Sequence, residues 1–174
     1  MIKLKKLKEQ EWKDRQLEFV YSTDGFYDFK CQGYTFSLEL YRDGVQREVS
    51  FTDNLFGAWL EKPVAYGAYS GDVLLGIIEF CPESWNNRLR VSNLLVFKDY
   101  RRKGVGKTLL NCAIDYAASH GFRMIVLETQ TCNINAIGFY LSMGFEPIGF
   151  DLYSYSNADM DKCEVRLEMG KKLL

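Results

Sequence analysis

Hydrophobic and polar positions alternate with a period of two over much of the first third of the chain. "QLEFVYS" sets Leu17, Phe19 and Tyr21 on one side, and "TFSLELY" does the same with Phe36, Leu38 and Leu40; Asp-Gly and Gln-Gly pairs bound them. Both segments predict strands. "FTDNLFGAWLEKP" predicts a short helix, with Thr52 or Asp53 near its N-cap and Pro63 past its end. "VAYGAYSGDVLLGIIEF" holds two apolar runs joined at Ser-Gly-Asp, a hairpin pattern, and "RLRVSNLLVF" makes a further strand. At Gly104 the period changes. Val105, Leu109, Ala113 and Tyr116 or Ala117 recur at helical spacing, and His120-Gly121 ends that helix. "RMIVLET" is almost continuously apolar, as in a strand buried on both faces. "NINAIGFYLSMG" predicts a second helix closed by Gly144, and "FEPIGFDLYSY" and "CEVRLEM" predict closing strands. A strand–helix–strand–helix order after a strand-rich start predicts a mixed α/β fold with at least one parallel crossover.

Composition narrows the class. A chain of 174 residues, 47% hydrophobic and 15% aromatic, reads as a single domain over 1–174. Such a length buries roughly 70% of its unfolded surface and requires no disulfide or metal staple. With 22 basic and 23 acidic residues, the net charge of −1 argues against a general binder of nucleic acid or anionic membrane. The five cysteines are scattered and form no C-x-x-C, so neither a metal site nor a disulfide framework is expected. The start, "MIKLKKLKEQEWKD", lacks the apolar centre of a signal peptide, and no run reaches membrane-spanning length. These features lead us to expect a cytoplasmic protein with reduced thiols.

One local charge excess stands out. From Lys98 to Lys107, five basic residues (Lys98, Arg101, Arg102, Lys103, Lys107) face the single acidic Asp99. Gly106-Lys107-Thr108 resembles the tail of a nucleotide-binding P-loop, but position 101, where that loop needs its first glycine, is Arg101. The alternative starts from "NLLVF" running into Arg101-x-x-Gly104-x-Gly106. Two glycines at the first turn of a helix let backbone N–H groups converge on an anion. The added cations suit a pyrophosphate.

Strand, R-x-x-G-x-G and amphipathic helix resemble the acetyl-CoA motif of the GNAT acetyltransferase superfamily. "VLETQ", Asn133 and Tyr140-x-x-x-Gly144-Phe145 are similar to its following motif. The likeness covers roughly 64–153. "LETQTCNINAIGFYLSMGF", the following "GFD" and the "ESWNN" loop look most like the streptothricin acetyltransferase branch. The first 50 residues carry no such likeness. The resemblance implies a mostly antiparallel twisted sheet with a central splayed parallel pair and flanking helices. It puts the splay between "NLLVF" and "RMIVLET", with the pantetheine arm of acetyl-CoA in the gap. Leu95 and Val96 would offer backbone groups to the pantetheine amides. The N–H groups of Arg102, Lys103, Gly104, Val105, Gly106, Lys107 and Thr108 would cradle the pyrophosphate beside Arg101, and Asn133 would bond the cofactor arm. No metal is implied, and homodimers are frequent in the superfamily.

Acetyl transfer to an amine needs a base for the amine proton and an acid for the leaving thiolate. Tyr140 follows Asn133 by about two helical turns, so both can face one groove. The resemblance gives Tyr140 the acid role; a buried aromatic in an apolar helix is the plainer alternative. Two glutamates compete as base: Glu128, at the end of a buried strand, and Glu79, at the end of "LLGIIEF". Burial favours the protonated form of a carboxyl and so strengthens its conjugate base. His120, the one histidine, sits where a helix C-terminus accounts for it. Cys132 beside Asn133 makes a covalent acetyl-cysteine conceivable. Lys3, Lys5, Lys6 and Lys8 read as solvent-facing. The expected acceptor is a primary amine on a small molecule such as a streptothricin-like antibiotic. The alternatives are a protein N-terminus or lysine, or a non-catalytic acetyl-CoA-binding module. Residues 1–60, rich in Phe and Tyr (Phe26, Tyr27, Phe29, Tyr34, Phe36), wall the acceptor side or serve as core.

Overall fold

In the computed structural model, which describes residues 1–13 and 15–173, nine strands and three α-helices alternate along the chain: β1 (Lys3–Lys6), α1 (Glu9–Trp12), β2 (Gln16–Gln32), β3 (Thr35–Asn54), β4 (Val64–Ser70), β5 (Val73–Glu83), β6 (Arg88–Val96), α2 (Val105–Ser119), β7 (Met124–Gln130), α3 (Ile134–Ser142), β8 (Glu146–Asp151) and β9 (Arg166–Lys172). The chain forms two compact units. One comprises Met1–Phe19, Thr52–Leu127 and the residues from Lys172; the other comprises Val20–Phe51 and Glu128–Lys171.

In the first unit the strands are hydrogen-bonded in the order β1-β4-β5-β6-β7. β1 is an edge strand that the sequence pattern does not announce, because all four of its residues are exposed. Lys3, Lys5 and Lys6 on that edge discourage pairing with a second chain, and Lys8 is exposed as well. β4 and β5 form the expected hairpin, turning at Gly71 with φ 61°. β5 and β6 are antiparallel, whereas β6 and β7 are parallel, joined by the α2 crossover. α2 buries Val105, Leu109, Leu110, Ala113 and Ala117, the periodic positions of the sequence, and packs against β4, β5 and β6. Each fully buried leucine contributes about 1.5–3 kcal/mol. With the β1–β4, β4–β5, β5–β6 and β8–β9 ladders antiparallel, this is a mixed α/β fold with a parallel pair at β6–β7. Among the described residues no helix is long and apolar enough to cross a membrane.

The helix expected over "FTDNLFGAWLEKP" is absent. β3 extends to Asn54, and the chain then turns through Phe56 and Lys62, both at positive φ (59° and 44°). Leu55 and Phe56 are instead drawn into a core cluster with Leu7, Leu17, Ala65, Ile77 and Leu95. Their helical spacing is overridden by tertiary burial.

The second unit contains most of the long β2–β3 ribbon, α3 and the antiparallel β8–β9 pair. Two separate short strands were expected in the ribbon, but it runs unbroken on either side of a turn at Gly33 (φ 61°). Beyond those two alternating segments its largely exposed residues leave little hydrophobic pattern to read. Phe29 is buried against Phe36 and Phe150, with ring centroids 5.9 and 4.4 Å away, so part of the aromatic N-terminal segment is core. Between β8 and β9 the buried Asp159 carboxylate accepts the Tyr155 N–H (2.7 Å) and the Ser156 hydroxyl (2.6 Å), which holds that loop together.

Candidate active site

The anion cradle is built where β6 gives way to α2. After a 3-10 turn at Lys98–Tyr100, the chain passes through Arg102 (φ 58°) and Gly104 (φ 81°) into the helix. A Cβ at Gly104 would meet nothing within 4 Å, so its left-handed backbone, and not lack of space, is what favours glycine there. The first intrahelical bond runs from the Thr108 N–H to the Gly104 carbonyl (3.0 Å), and the Thr108 hydroxyl reaches the same oxygen (3.1 Å). The N–H groups of Val105, Gly106 and Lys107 therefore have no acceptor within the helix. Arg101, Arg102, Lys103 and Lys107 are all exposed around them. Donors, dipole and charge fit a pyrophosphate. Thr108, expected among the cradling amides, has its own N–H committed to the helix.

Just upstream, β6 and β7 pair from Arg88 opposite Met124 to Val91 opposite Leu127, and the ladder stops there. Asn93–Val96 continue beyond it, still paired to β5. Leu95 is buried, and the Val96 carbonyl accepts from Arg101 Nε at 3.0 Å, a contact that retains one lone pair for a ligand.

Glu79, one of the two expected bases, is fully buried on β5. Its carboxylate is enclosed by donors: the Phe56 N–H (2.6 Å), the Ser92 hydroxyl (2.7 Å) and Asn93 Nδ2 (3.1 Å).

Glu128, in the second unit, is exposed despite the buried run before it, and its Oε2 lies 2.6 Å from Arg166 Nη2. Arg166 and Ser92 were both missed by sequence reasoning, since the contacts that bring them in link distant positions and carry no local signal. Asn133 caps α3, its Oδ1 accepting the Ala136 N–H at 3.2 Å. Tyr140 is 9% exposed, and its hydroxyl makes no hydrogen bond to the described residues. Burial pushes its pKa up to about 12, so the phenol is protonated at neutral pH. Cys132 is buried, with the Tyr21 hydroxyl 3.2 Å from its sulfur and also donating to Gln130 Oε1 at 2.7 Å. Burial raises the Cys132 thiol pKa, only partly offset by the Tyr21 contact. That makes it a poorer nucleophile. His120 ends α2, as expected, with its Nδ1 2.8 Å from the Tyr116 carbonyl.

A glycine-led helix start ringed by cations, following a strand that pairs in parallel with β7, defines a mixed α/β protein with an anion-binding helix N-terminus. The profile of the acetyltransferase (GNAT) family matches residues 11–145, and the chain belongs to that family. Streptothricin acetyltransferase A of Bacillus subtilis (strain 168) is 42% identical over 74 residues, 42% of this chain and 43% of that protein. The chain thus aligns with less than half of that relative's length. The crystal structure of nourseothricin acetyltransferase superposes with a TM-score of 0.78 at 24% identity, covering 99% of each chain. A protein assigned as a streptothricin acetyltransferase, from Bacillus anthracis str. Ames in complex with acetyl coenzyme A, superposes with a TM-score of 0.77 at 23% identity, covering 99% of this chain and 97% of that one.

Proposed function

We propose that the protein is an acetyl-CoA-dependent N-acetyltransferase acting on a primary amine of a small molecule, with a streptothricin-like aminated antibiotic as the leading acceptor. The observation that carries this reading is the helix start at Gly104, where three amides without helical acceptors sit among four exposed cations. The streptothricin acetyltransferases among the relatives support the acceptor class.

Acetyl-CoA would supply the acetyl thioester. The amides of Val105, Gly106 and Lys107 hold its pyrophosphate, with Arg101, Arg102 and Lys103 adding charge. The backbone of Leu95 and Val96 bonds the pantetheine amides, and Asn133 bonds the cofactor arm. Glu128 takes the amine proton, directly or through water. As the new C–N bond forms and the C–S bond breaks, Tyr140 gives its proton to the sulfur. Like any tyrosine at neutral pH, Tyr140 carries its proton, as a general acid must.

The test is thiol release from acetyl-CoA, followed colorimetrically, with streptothricin, simple diamines and a lysine-bearing peptide as acceptors. Release with streptothricin above all others is expected. Release with the peptide alone would replace this reading by a protein acetyltransferase, and acetyl-CoA binding without turnover on any amine would mark a non-catalytic module.

A further inference from the structure

We infer that Glu79 is a positioning residue for cofactor binding: its buried carboxylate clamps the β-bulge at Ser92, just upstream of the Leu95–Val96 backbone. The inference rests on the proposed acetyl-CoA reading but adds a residue and a role to it.

The register gives the reason. Along the β5–β6 ladder, Glu79 stands opposite Asn93, whereas the next residue, Phe80, stands opposite Val91. Ser92 is therefore an extra residue in β6. A bulge of this kind bends its strand and increases its twist. It falls one residue past Val91, where the parallel pairing of β6 with β7 ends. Downstream lie Leu95 and Val96, and then the helix start at Gly104.

The Glu79 carboxylate engages the extra residue and its successor together, accepting from Ser92 Oγ at 2.7 Å and Asn93 Nδ2 at 3.1 Å. Its other oxygen takes the N–H of Phe56 at 2.6 Å, which fixes the left-handed turn after β3 against the same strand. An unpaired carboxylate is very unfavourable in a core, so a residue 0% exposed is retained only where its donors need it. Bonds to a charged acceptor are about twice as strong as neutral ones, which suits holding an irregular strand in one shape. An amine outside the core has no access to these oxygens, which separates Glu79 from the role of base.

The experiment compares wild type, Glu79→Gln and Ser92→Ala by calorimetric acetyl-CoA binding, kcat and KM for the amine, pH–rate profile and melting temperature. Ser92→Ala removes one clamp bond and leaves the carboxylate intact, so it carries the test if Glu79→Gln does not fold. Acetyl-CoA Kd is expected to rise roughly tenfold in either variant, the loss of about one charged hydrogen bond, with KM for the amine and the acid limb of the profile unchanged. An unchanged Kd with a lowered melting temperature would overturn the proposal in favour of a purely structural glutamate. A fall in kcat with loss of the acid limb in Glu79→Gln alone would overturn it in favour of a base. Failure of the wild type to bind acetyl-CoA would overturn the functional reading itself, a result distinct from any behaviour of the variants.

Discussion

Arg166 Nη2 lies 2.6 Å from Glu128 Oε2, so the glutamate proposed as base carries its own counter-ion. Both side chains are about a third exposed, at 30% and 39%, and solvent screening leaves such a pair under about 1 kcal/mol of stability. Glu128→Gln is therefore expected to leave the melting temperature within about 2–4 °C of wild type, while kcat falls about 10²–10⁴-fold. A variant that loses activity only in proportion to its folded fraction would remove Glu128 from the chemistry.

Tyr140→Phe is expected to lower kcat by about 10²-fold with acetyl-CoA Kd unchanged. Its hydroxyl bonds to none of the described residues, so the fold does not depend on it. Equal losses in Kd and kcat would point to a binding role instead.

The same phenol predicts alkaline behaviour. Tyr140 ionises near pH 10.0 when unfolded and at about 12 when folded. Between those values the unfolded chain sheds a proton that the folded chain keeps. This share of stability is complete below pH 10.0 and falls by about 2–3 kcal/mol as pH rises through about 12. Urea titrations across that window should show a shallower decline for Tyr140→Phe. A decline of equal slope would contradict the burial effect.

Gly104→Ala puts a β-carbon on a left-handed helix start (φ 81°), which costs about 1–2 kcal/mol. Asparagine tolerates that region better, so Gly104→Asn should be the milder variant in both melting temperature and acetyl-CoA Kd. Equal damage from both would shift the explanation from backbone conformation to space.

Cys132→Ala should keep turnover within about threefold, because a buried thiol with a raised pKa is a weak nucleophile. Intact-mass measurement of wild type under turnover should show no acetyl adduct. An adduct that disappears in the variant would establish a covalent route.

Much of this was legible in the residues themselves. α2, its apolar stripe, its glycine start and its His120-Gly121 end are local matters of period and capping, and the structure has them at the expected positions. The β4–β5 hairpin and the apolar β7 were legible for the same reason. Where neighbouring residues set the conformation, the pattern was sufficient. It failed where distant residues competed with it. The helical spacing over 51–63 lost to the core that takes Leu55 and Phe56 and to the Glu79 carboxylate that takes the Phe56 N–H. β1 and the continuation of the ribbon past its two alternating segments were obscured, because exposed strands carry little hydrophobic alternation. In sequence the two glutamates competed for one role. Long-range hydrogen bonding and burial separate them, since the local sequence of a strand end does not reveal which side chains its neighbours in the sheet will aim at it.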